Sequence, residues 1–148
     1  AEHDHYIAVD LRICEQHDHC QSGPRAVHRA KQMTWQDYIK EALCYDVQHF
    51  TIEDVESGVA SGDYQLWESE NSALVTSGVP LQSGGIGVQV LAAGGNLEEI
   101  VGLLDEVEQE ARASGCEILT TVGRKGWIKT AKEIGWIDVA SIYVKRLS

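Results

Sequence analysis

Residues 86–122 read IGVQVLAAGGNLEEIVGLLDEVEQEARASGCEILTTV, and this stretch decides the fold. Leu97, Ile100, Val101, Leu104, Val107 and Ala111 recur at helical spacing, while Glu98, Glu99, Asp105, Glu106, Glu108 and Glu110 take the opposite face. Asn96 caps this helix, Glu99 sits where a capping partner belongs, and Gly115 stops it. Before it, 86–91 reads as a strand with β-branched Val88 and Val90; after it, 116–122 reads as another. Strand, helix and strand in succession make a βαβ unit, whose strands run parallel.

Upstream, 64–68 and 72–77 read as strands, and Val79-Pro80 with Ser83-Gly84-Gly85 turns the chain into 86–91. Two helices precede these strands. Thr34, with Asp37 three residues later, opens one that runs to about 45, with Trp35, Tyr38, Ile39, Ala42 and Leu43 on one face. Thr51 opens the other, with Asp54 at its third position, Ile52, Val55 and Val59 as its stripe, and Gly62 as its end. Downstream, a short helix at 125–134 leads to a final strand at 138–147. Near the start, Ile7, Val9, Leu11 and Ile13 alternate with polar or small residues, which predicts a strand over 6–14. The expected class is α/β of the α+β kind: a mostly antiparallel central sheet, a C-terminal βαβ unit, and helices on both faces.

The 148 residues suit one core. Residues 1–32 hold five of the six histidines and read as an N-terminal extension; 33–148, from the sole methionine onward, read as the domain. No apolar run is long enough to span a membrane, and 1–10 lack the basic and apolar regions of a secretory signal. A formal charge of −11 disfavours general nucleic-acid binding, which depends on cationic side chains at phosphates. Cys14, Cys20, Cys44 and Cys116 are thinly spread and read as reduced thiols. A cytoplasmic or virion-associated location is expected.

The element order resembles the GNAT family of N-acetyltransferases. Gly123-Arg124-Lys125-Gly126-Trp127, then Ala131, then Gly135-Trp136, is similar to that family's last strand–helix segment, and the likeness covers about 34–148. It implies an acetyl-CoA site at the loop between the 86–91 strand and the long helix, with the pattern Gln/Arg-x-x-Gly-x-Gly/Ala. Gln82-Ser83-Gly84-Gly85-Ile86-Gly87 matches those letters, but a strand follows it, so it reads as a hairpin turn. Gly94, Gly95 and Asn96 stand in the implied place without the Gln/Arg. A helix N-terminus attracts phosphate through its unpaired N–H groups; here a capping pair and the charges of Glu98 and Glu99 oppose that. Arg124, after the last strand of the βαβ unit, is the remaining candidate for an anionic cofactor, beside Lys125 and Lys129; the alternative is that this cluster pairs with the acidic helix face. The family's tyrosine acid falls on Ala131, which carries no proton; Tyr143 reads as a core residue. Glu68 or Glu70 would be the base, or a solvated strand residue.

His3, His5, Cys14, His17, His19 and Cys20 are candidate zinc ligands, although Cys14-x-x-His17-x-His19-Cys20 is too tight to supply all four ligands alone. No Walker loop and no nucleophile signature is present. The resemblance therefore implies a GNAT-like structural or accessory domain that has lost catalysis, similar to small proteins of tailed phages, including virion components. The alternative is an N-acetyltransferase with a divergent loop, which would bind acetyl-CoA and keep a cleft where the fourth and fifth strands splay. A third expectation is a zinc-stabilised interaction module at 3–20. The expected partner is a protein or a second copy, with no cofactor unless the chain is an enzyme.

Overall fold

A computed structural model of the chain describes residues 33–43, 50–123 and 126–147, with backbone alone at 8–9 and 125. The described elements are β1 (Ala8–Val9), α1 (Trp35–Leu43), α2 (Ile52–Ser61), β2 (Tyr64–Ser69), β3 (Ser72–Pro80) and β4 (Ile86–Gly95). They continue with α3 (Leu97–Ala113), β5 (Ile118–Thr120), β6 (Val122–Gly123), a 3-10 turn (Lys125–Trp127) and α4 (Ile128–Glu133).

The sheet has the order β2-β3-β4-β5. The first three strands are antiparallel, and β5 joins β4 in parallel from Gly87/Ile118 to Gln89/Thr120. The class is therefore mixed α/β, as the order of periods predicts. Local chemistry places each turn. Thr34 and Asp37 exchange hydrogen bonds at the start of α1. Thr51 and Asp54 form a full capping box on α2, and Gly62 closes that helix at φ 88°. The Gln82–Gly87 stretch does contain the β3–β4 turn: Leu81 N–H donates to the Gly85 carbonyl, and Gly84 takes φ 96°.

Helices cover both faces. On one, Ile39 and Ala42 of α1 and Val55 of α2 pack with Ala73, Val75, Leu91 and Ala92. On the other, Ile100, Leu103, Leu104 and Val107 of α3, with Trp127 and Ala131, pack with Leu74, Val90 and Ala93. A bulge in β4 permits this split. Val75 faces Ala92, but Thr76 faces Val90, so Leu91 is an extra residue. Leu91 and Ala92 consequently share a face that strict alternation would deny one of them.

Two expectations change. The strand expected at 138–147 carries no regular structure, because no neighbouring strand pairs with it among the described residues, and an unpaired segment has no ladder. Tyr143 is accordingly 93% exposed rather than in the core. The loop expected between the 86–91 strand and the long helix shrinks to Asn96: Gly94 and Gly95 continue β4, paired to Ala73 and Ser72. Of the strand expected at 6–14, Ala8–Val9 is present and the rest lies outside the described residues.

Candidate functional site

The C-terminal end of β4 leads directly into α3, so Gly94, Gly95 and Asn96 do lie at a strand-to-helix junction. Several polar groups there bond to one another. The Asn96 side chain accepts from the Glu99 N–H at 3.1 Å, and the Asn96 N–H donates to the Asn71 carbonyl at 2.9 Å. Glu99 does not complete a capping box with Asn96. Its carboxylate instead accepts from the Asn71 N–H at 2.7 Å and from the Ser72 hydroxyl at 3.1 Å, locking the β2–β3 turn to the start of α3. Burial works to raise the Glu99 pKa, but hydrogen bonds from the Asn71 N–H, from Ser69 and Ser72, and from the Asn71 side chain outweigh it and hold the carboxyl below its ordinary value.

The two glycines are required by packing. A Cβ at Gly94 would strike the Tyr38 carbonyl of α1, and one at Gly95 would strike the backbone of Asn71 and Ser72. Gly95 also has φ 115°, which side chains with a Cβ rarely adopt. A pyrophosphate needs free N–H groups and no fixed negative charge. The Glu99 carboxylate lies at this helix end and the N–H groups of Asn96 and Glu99 are engaged, and both features oppose a pyrophosphate there.

Beyond Gln89/Thr120 the ladder between β4 and β5 ends, and β6 diverges. The Thr121 hydroxyl spans part of the divergence, donating to the Val90 carbonyl at 3.1 Å. β1 pairs in parallel with β6 through Ala8/Val122 and Val9/Gly123, and it also lies beside β4. The chain's own N-terminal strand thus sits in the gap between the diverging strands. The hydroxyl of Thr120, at that fork, is buried without a hydrogen-bond partner.

The other sequence-derived candidates separate. Arg124 lies outside the described residues, as do His3, His5, Cys14, His17, His19 and Cys20. Among the described residues, no group of three or more His, Cys, Asp or Glu side chains could hold a metal ion. Cys116 is a free thiol. Lys129 is exposed, and Ala131, at the position of the family's acid, is buried in the core. Glu68 and Glu70 are both exposed and line an open cleft of about 430 Å³ together with Trp35, Tyr38, Ser69 and Ser72. Two carboxylates beside two aromatic rings favour a cation over an anion. The Glu99 lock joins segments 27 and 28 residues apart, and no local spacing signals it.

No family model matches this sequence, and no curated protein does. Among solved structures, a point variant of TTHA1254 from Thermus thermophilus superposes with a TM-score of 0.50 at 19% identity, covering 67% of this chain and 81% of that one. The wild-type TTHA1254 structure gives a TM-score of 0.49 at 19% identity, covering 66% and 79%. At such identity the first of these likenesses concerns the fold alone. No helix among the described residues is long and apolar enough to cross a membrane.

Proposed function

We propose that this chain is a GNAT-like domain without acetyl transfer, serving as a structural or accessory part of a protein assembly. The observation that carries the proposal is the closed start of α3, where Asn96, Glu99 and the Asn71–Ser72 turn satisfy one another. An acetyltransferase of this fold would place the cofactor's pyrophosphate at that helix end. The strand β1 in the β4–β6 gap supports the same conclusion, since the enzymatic alternative needs that gap as a cleft. A phage particle is one assembly that the sequence resemblance suggests.

The test is turnover. The full chain, incubated with acetyl-CoA and a panel of primary amines, amino acids and lysine peptides, is expected to release free CoA thiol no faster than a heat-inactivated sample. Release that scales with protein concentration, and that stops when Glu68 and Glu70 are both changed to Gln, would establish the enzyme instead.

A further inference from the structure

The ladder from β4 to β5 stops at Gln89, yet β4 runs on to Gly95. Val90, Leu91, Ala92 and Ala93 are all buried. Among the described residues, no strand is laddered to them on the side that β5 has left. A strand edge shut away from water needs partners for its N–H and C=O groups. One partner is a side chain: the Thr121 hydroxyl donates to the Val90 carbonyl at 3.1 Å, as the N–H of a neighbouring strand would. At the same fork the Thr120 hydroxyl is buried with no partner. The fork has the hydrogen-bonding needs of a sheet that lacks a strand.

The structure also shows what comes to that place. β1 lies beside β4 and beside α1, so extended backbone already stands in the opening. Its ladder, however, is with β6 alone, through the parallel pairs Ala8/Val122 and Val9/Gly123, and it stays apart from the four-stranded sheet. Two parallel pairs are a weak hold, because parallel pairing is the less stable kind and a short two-stranded ladder is marginal by itself. In the sequence, Ala8 and Val9 belong to a stretch where Ile7, Val9, Leu11 and Ile13 alternate with small or polar residues, the pattern of a strand with one apolar face.

We infer that the slot between β4 and β6 is a binding groove for an extended polypeptide segment of alternating apolar residues, and that the chain's own β1 is its displaceable resident. Recognition is strand addition: main-chain hydrogen bonds hold the segment and its alternate side chains select it. The tethered strand competes with any segment supplied from outside, so the groove is closed in the resting chain and opens when β1 leaves. The groove takes a polypeptide, and it does not depend on whether the domain is catalytic.

A synthetic peptide with the sequence of residues 6–13, carrying a fluorophore, tests this against the full chain by anisotropy. The double variant Ala8→Pro/Val9→Pro removes two N–H donors and unseats β1. It is expected to bind the peptide at least tenfold more tightly than the parent, in which the tethered strand competes at an effective concentration of about millimolar. Amide resonances of Val90 to Ala93, Val122 and Gly123 should shift on binding, and that of Val55 in α2 should not. A peptide of the same composition in scrambled order should not bind. If the double variant does not fold, the parent decides, because peptide at about 1 mM should shift the same resonances. Equal affinity for parent and folded variant would overturn the inference, as would shifts confined to other residues or no binding by either protein.

Discussion

Glu99 ties the start of α3 to the β2–β3 turn. It was legible in the sequence as a capping partner, because it stands three residues after Asn96. Its true contact, the Asn71–Ser72 turn, was not, since no spacing rule connects residues so far apart. The carboxyl is held below its ordinary value of 4.5, so its contribution to stability is present at neutral pH and is lost as pH falls through the lowered value. Glu99→Gln should therefore cost about 1 kcal/mol near neutrality. The difference from the parent should shrink as the pH falls through that lowered value and the parent's carboxyl protonates. Urea unfolding at several pH values reads this directly; a gap of constant size at every pH would show that the carboxylate charge is irrelevant. Gly94 makes a sharper case. Gly94→Ala drives a methyl into the Tyr38 carbonyl and should cost about 1–3 kcal/mol, whereas Gly102→Ala, with open space at its Cβ and helical backbone, should stabilise by up to about 1 kcal/mol. Thermal denaturation of the pair checks the contrast.

At the scale of elements, the sequence was legible wherever period and cap agree. The bounds of α3, α2 and the β3–β4 turn follow from Asn96, Thr51, Gly62 and Gly84. Thr51→Ala removes the oxygen that accepts from the Asp54 N–H and should cost about 1 kcal/mol; chemical denaturation would show it as a lower midpoint at unchanged slope. Legibility failed where an element depends on its neighbour. Gly94-Gly95 looks like a break in isolation but is demanded by the close approach of α1 and the β2–β3 turn. The bulge at Leu91 is set by two faces competing for apolar residues, and nothing in Val90-Leu91-Ala92 announces it. At 138–147 the alternation reads as a strand and none forms, because a strand also needs an edge to pair with, which periodicity does not report.

For the whole molecule, the mixed sheet with helices on both faces was legible, because the change from hairpin signals to a βαβ pattern restricts the topology. Function was less so. The GNAT resemblance rests on element order and a short C-terminal pattern, and folds host many activities. What bears on function is the way the parts close on one another: the capped start of α3, the lock at Glu99, and β1 between the diverging strands. The central claim is that this closure leaves no place for the cofactor, and calorimetry of the full chain with acetyl-CoA tests it most directly. No heat of binding is expected up to millimolar ligand at moderate salt. A dissociation constant in the micromolar range, weakened by Gly94→Ala, would contradict the account and return Gly94, Gly95 and Asn96 to the role of a phosphate loop.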